Sequence, residues 1–222
     1  MKEIFLKALK TTIPVMMGYL SIGLAYGMLL ESKGFPAYYS ILISLVVYGG
    51  SMQFVMIDLM TSGASLINTA LMTVFVHARH LVYGLSMIDE YKDMGAFKPY
   101  MIFSLTDETY SLMVNCKESK EYKIMVSFLD QCYWVIGSFL GYVAGSLIAI
   151  DTTGIDFAMT ALFVIIVVDQ FREKEKHIYT YIGFVISIIC LIIFGASAFI
   201  IPSLIGIIGS LLVIYRRENN VA

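Results

Sequence analysis

Charge is scarce in this sequence. Aspartate, glutamate, lysine and arginine make up 14% of its 222 residues, whereas a soluble domain carries about a quarter. Such a chain cannot clothe a water-facing surface of ordinary size. Cysteine is scarce too. Cys116, Cys132 and Cys190 stand far apart with no CxxC, which argues against a disulfide framework or a zinc site and leaves them as polarisable core filler. Of the four prolines, Pro36, Pro99 and Pro202 stand just before or at the start of an apolar segment, where a missing N–H costs little. The net charge of −2 offers no basic surface for nucleic acid.

Apolar residues are what the chain has in excess: 59% of the total, with a mean hydropathy of +0.80. Thr11 to Leu30 carry no charge, about the 20 residues that cross ~30 Å of hydrocarbon. Lys2, Lys7 and Lys10 precede this run, as in a secretory signal peptide. The run is too long for a typical h-region, however, and no small-residue cleavage site closes it. It reads as a first transmembrane helix of an all-α integral membrane protein.

The apolar segments are 11–31, 37–60, 63–87, 98–116, 123–150, 157–171, 178–200 and 203–215. Their connections are short, which predicts one multi-pass domain over 1–222. Basic residues cluster at the N-terminus, at Lys92 and Lys98, at Lys117, Lys120 and Lys123, in the 172–177 run, and at Arg216 and Arg217. The 151–156 loop has two acids and no base. If every segment crossed fully, Lys92 and Lys98 would fall outside, against the positive-inside rule. If 37–60 and 98–116 are broken segments that re-enter on their own side, all five basic clusters and both termini are cytoplasmic. That model has six full crossings and leaves Lys33 on the wrong side. Two interrupted segments entering from opposite faces would suit an inverted repeat, and non-helical backbone at membrane depth marks transporter sites.

The interruptions are polar. Tyr48-Gly49-Gly50-Ser51-Met52-Gln53-Phe54 lies within 37–60, and Thr106-Asp107-Glu108-Thr109 within 98–116. Ionisable groups in lipid are costly enough to be site candidates: Asp58, His77, Arg79, His80, Asp107, Glu108, Asp130 and Asp169. Asp58, Asp130 and Asp169 can each lie at a segment end, as solvated interface residues. His77, His80 and Gly84 share one helix face, and His80 titrates near neutrality. Arg79 points elsewhere and can snorkel. Asp107 beside Glu108 cannot both ionise cheaply, although Thr106 as N-cap and the acids at a helix start explain the same residues structurally. Gly23-x-x-x-Gly27 and Gly141-x-x-x-Gly145 suit close helix packing. Trp134 and the tyrosines read as interfacial anchors.

The order YGGSMQF, HARHLVYGLS, SLTDETYSL, with the opening PVMMGYLSIGLAYGMLL, resembles the AzlC family, the large permease subunit of branched-chain amino acid exporters. The likeness spans most of 11–115. It implies plasma-membrane export of leucine, isoleucine, valine or methionine, driven by the proton gradient, with a small AzlD-like multi-pass partner and no cofactor. The substrate-contact candidates are then Tyr48, Gly49, Gly50, Ser51, Gln53, Phe54, Thr106 and Asp107. His80, Asp107 and Glu108 are the proton-coupling candidates. The family pattern carries an amide more often than a histidine at position 77, so His77 ranks as secondary, with Arg79 and Tyr83.

Other readings remain open on the residues alone. The same fold can carry another small solute, or line a pore with its polar hairpins. An intramembrane hydrolase would need Ser51 with His80, but Gly50-Ser51-Met52 lacks the glycine after the nucleophile. A metal enzyme would need His77, His80 and Asp107.

Overall fold

The computed structural model describes residues 2–114, 116–147, 164, 168, 171, 177–195 and 199–219. The described residues are mostly helical, with short turns and loops between the helices and no strand among them. The chain divides into two compact units, Met1–Met159 and Thr160–Ala222.

The first unit is built on two long helices, α1 (Lys2–Ser32) and α8 (Lys120–Leu147). Both are long and apolar enough to cross a bilayer. Between them run α2 (Ala37–Val46), α3 (Gly50–Thr61), α4 (Leu66–Val76), α5 (Ala78–Ser86), a 3-10 turn at Gly95–Phe97, α6 (Lys98–Phe103) and α7 (Asp107–Met113). Local chemistry sets several starts. The Ser65 hydroxyl accepts the Asn68 N–H at the head of α4, and Ser119 accepts the Tyr122 N–H at the head of α8. Pro36 caps α2 and Pro99 sits in the first turn of α6. The fourth proline, Pro14, lies inside α1.

Small residues let α1 and α8 come together closely. A Cβ built on Gly27 would collide with the Ser138 carbonyl and the Tyr142 N, and one on Gly141 with the Leu24 backbone. On Gly23 it would lie 3.0 Å from Gly137. The Gly23/Gly27 and Gly141/Gly145 spacings therefore act as packing devices, as expected. The contacts also fix direction. Lys7 pairs with Glu118, Thr11 with Tyr122, Gly23 with Gly137 and Gly27 with Gly141. Residue numbers rise together, so α1 and α8 run parallel.

This direction constrains the path between them. With 63–87 crossing once, 37–60 and 98–116 share one fate: both cross or both re-enter. Both are broken, at 47–49 and at 104–106. Their halves find different neighbours, with α2 chiefly against α8, and α3 against α1 and α4.

One expectation needs correction. The 63–87 segment is not a single helix, because His77 closes α4 and opens α5 with φ −94° and ψ 7°. No glycine or proline marks that break in the sequence. The 157–171 segment apart from residues 164, 168 and 171, the 151–156 loop, Asp169 and residues 172–176 lie outside the described residues.

In the second unit α9 (His177–Phe194) and α10 (Ile200–Asn219) form an antiparallel helical hairpin across Gly195. Gly206 packs on Ile186. An apolar groove of about 940 Å³ runs between the helices, lined by residues such as Tyr181, Val185, Gly209 and Val213. The α9 helix is a third candidate span, and its apolar face is largely uncovered within the unit.

Candidate functional site

The two broken segments converge on the middle of the α1/α8 pair. The α3 helix begins at Gly50, whose Cβ position lies 3.1 Å from the Trp134 ring. The α7 helix begins at Asp107, and its Thr109 hydroxyl donates to Asp130 Oδ2 at 2.9 Å. Asp130 and Trp134 stand one turn apart on the same face of α8. Tyr19 of α1 touches both sides of the junction: its ring meets Trp134 edge-on at 5.4 Å, and its hydroxyl donates to Glu108 at 2.9 Å and contacts Thr106. Tyr19 and Trp134 lie near the midpoints of α1 and α8, so the breaks fall halfway along that helix pair.

The first break is strained and tightly packed. Tyr48 is in the left-handed region at φ 41°, a conformation costing a non-glycine residue about 1–3 kcal/mol and typical of functional sites. Its hydroxyl is buried with no hydrogen-bond partner among the described residues, and its ring lies 6.0 Å from Phe103 beside the second break. Gly49 has to be glycine for a separate reason. A Cβ there would enter the His77 imidazole. The first turn of α3 also presents backbone N–H groups that the helix itself does not use.

Gln53 is fully buried and doubly held. Its carbonyl accepts the Trp134 indole N–H at 2.6 Å, and its amide donates to Ser44 at 3.1 Å. Ser51 is buried beside it. Phe54 points away from the junction, into a separate cluster with Tyr26, Leu30 and Ile57.

At the second break Thr106 caps α7 by accepting the Thr109 N–H. Tyr83 donates to Asp107 at 2.9 Å and stacks on Tyr110 at 4.3 Å. The Tyr83 ring meets His80, and His80 Nδ1 lies 3.2 Å from His77 Nδ1. A polar line thus runs from the α3 start, through the His77 and His80 rings and Tyr83, to the α7 start. The side chain of Arg79 lies outside the described residues.

Sequence reasoning missed two members of this site, Tyr19 and Trp134, and read a third, the candidate Asp130, as a solvated segment end. Trp134 and Tyr19 are buried core residues (4% exposed each), not interfacial anchors. Asp130 is fully buried, not a solvated end, because α8 starts at Lys120 and carries it about 15 Å into the helix. Nothing marks Tyr19 in sequence. Asp130, with Trp134 four residues on, was the available signal. Asp58 is exposed in the last turn of α3, as an interface residue would be. His77, His80 and Asp107 do not form a metal set, since Tyr83 intervenes. Among the described residues no three His, Cys, Asp or Glu are grouped to hold an ion.

The AzlC protein family model matches residues 14–148, which include both breaks and the α1/α8 frame. The chain belongs to the AzlC family. It is 37% identical over 217 residues, covering 96% of this chain and 85% of the relative, to the branched-chain amino acid transport protein AzlC of Bacillus subtilis. An uncharacterized membrane protein of Helicobacter pylori is 35% identical, with 96% and 97% covered. The inner membrane protein YgaZ of Escherichia coli is 25% identical, with 78% and 75% covered. No solved structure matches. As an AzlC family member this chain is a multi-pass membrane transport protein, and the naming of its relatives points away from an enzyme.

Proposed function

We propose that this chain exports branched-chain amino acids across the plasma membrane in exchange for protons, working with a small AzlD-like multi-pass subunit. The observation that carries the reading is the meeting of two broken helices halfway along the α1/α8 pair, against Tyr19, Asp130 and Trp134. Broken helices turn backbone N–H and C=O groups toward a substrate. The α3 start at Gly50 and Ser51 suits the carboxylate of a zwitterion. Carboxylates around the α7 start suit its ammonium, and the aromatic wall of Tyr48, Phe103 and Trp134 suits a leucine-sized side chain. The named substrate of the Bacillus subtilis relative fits this chemistry.

Tyr48, Gly49, Gly50, Ser51, Thr106 and Asp107 are the contact residues in this reading. Gln53, with both ends bonded, and Phe54, in the core, hold the α3 start in place. His80, Asp107 and Glu108 serve the proton, with His77 and Tyr83 linking them. The parallel α1 and α8 helices put Lys2, Lys7 and Lys10 on the same side as Lys117, Lys120 and Lys123. The positive-inside rule makes that side cytoplasmic. It also favours re-entry of both broken segments, which keeps Lys92 and Lys98 inside.

The test is efflux of labelled leucine, isoleucine, valine and methionine from proteoliposomes, with and without a pH gradient and the co-expressed small subunit. Gradient-stimulated efflux of the branched amino acids is expected. No efflux of any of them under either condition overturns the reading.

A further inference from the structure

The hydroxyl chain between Glu108 and Asp130 lacks one proton. Its contacts are Glu108 to Tyr19 at 2.9 Å, Tyr19 to Thr106, Thr106 to Thr109 at 3.1 Å and Thr109 to Asp130 at 2.9 Å. Those are four oxygen–oxygen contacts, and Tyr19, Thr106 and Thr109 bring one hydroxyl hydrogen each, three in all. Ionised carboxylates bring none. If both acids were charged, one contact would set two lone pairs against each other. One added proton, on either carboxyl, gives every contact a hydrogen.

The surroundings of Asp130 make the same demand independently. Asp130 is fully buried, and its Oδ1 has no hydrogen-bond partner among the described residues. Among the described residues the titratable groups facing it are Tyr19 of α1, Tyr48 of the α2–α3 break, Tyr100 of α6 and Glu108 of α7, and these are neutral or acidic. Lys123, two turns earlier on α8, is bound to Glu90 at 2.8 Å. A carboxylate so placed needs either a proton or a cation on it.

We propose that Asp130 is the exchange point of the carrier, where a proton and the ammonium group of the substrate alternate. The proposal rests on the amino acid reading above and deepens it. In the empty carrier the proton neutralises the Glu108–Asp130 chain. When a zwitterion arrives, its ammonium takes Oδ1 and Asp130 becomes the carboxylate partner. The Asp130 proton passes to the Thr109 oxygen, the Thr109 proton to Thr106, that of Thr106 to Tyr19 and that of Tyr19 to Glu108. Glu108 then releases one proton to water. The ammonium then covers the Asp130 charge and water solvates the half-buried Glu108 carboxylate; the chain is again one hydrogen short, so one of its contacts opens as the broken helices part. One site that holds either ligand but not both enforces exchange rather than co-transport. Asp130 is closed off in this structure, so the broken helices must part to admit cargo.

The experiment measures leucine binding by the full-length protein in lipid nanodiscs between about pH 6 and 8, together with proton release in weak buffer. The wild type should bind leucine more weakly as pH falls, by up to about tenfold per pH unit on the acid side, and should release a proton on binding. Asp130→Asn, which is isosteric and keeps the Thr109 contact, should bind weakly, with neither pH dependence nor release. Asp130→Glu should restore part of both. Wild-type pH dependence and release in Asp130→Asn would overturn the proposal. If the wild type binds no branched amino acid, the substrate reading falls separately. The proton is then read by infrared: a buried protonated carboxyl band present in the wild type and lost in Asp130→Asn supports Asp130 as its seat, and absence of that band in the wild type refutes it.

Discussion

At the scale of single residues, the site separates side chains by how they are held. Gln53 spends its carbonyl on Trp134 and its amide on Ser44, so this buried amide braces the α3 start. Asp107 and His80 occupy the half-buried line between the two breaks, joined through Tyr83. Neither is needed to hold the α1/α8 frame, whose contacts lie elsewhere. His80→Ala and Asp107→Asn are therefore each expected to cut pH-driven leucine efflux at least about tenfold, a barrier change near 1.4 kcal/mol, while the proteins still insert and purify. Wild-type efflux from either variant removes that residue from the coupling path. The polar residues of this line were legible in sequence because charge and imidazole are conspicuous in an apolar run. Tyr19 and Trp134 were not, since an aromatic ring inside a transmembrane helix looks the same whether it faces lipid, headgroups or a partner ring.

At the scale of elements, the two broken segments were legible and the third interruption was not. Gly49-Gly50 and Thr106-Asp107 carry their own explanation, a pair of residues poor in helix propensity and a capping threonine with acids behind it. The break at His77 has no such local cause. The packing of Gly49 against the imidazole accompanies it, and that is a tertiary contact. The burial of Asp130 also depended on an element boundary, the start of α8 at Lys120 rather than near 123. The glycine spacings were more transparent, because close helix approach needs small residues in lipid as it does in water. Gly27→Leu puts a branched side chain into the Ser138 carbonyl and Tyr142 backbone. It is expected to destabilise the first unit by about 3 kcal/mol or more, read as lower thermal stability in detergent. Gly18→Leu, where a Cβ meets nothing within 4 Å, should change stability little. Equal loss in both would contradict the close α1/α8 contact.

For the whole molecule, parallel α1 and α8 form the fixed frame, and the broken segments bring their interruptions to its centre. The frame explains why two motifs more than 50 residues apart in sequence come together: Tyr19 and the Asp130–Trp134 face receive both. In the proposed function this junction is the place where cargo sits. The direct measurement is the rate at which a small thiol reagent modifies Ser51→Cys, in a background lacking Cys116, Cys132 and Cys190, in vesicles that transport leucine. Saturating leucine should slow the modification severalfold, and glycine, lacking the side chain, should not. An unchanged rate with leucine, in vesicles whose transport is intact, would place the cargo elsewhere and contradict the account.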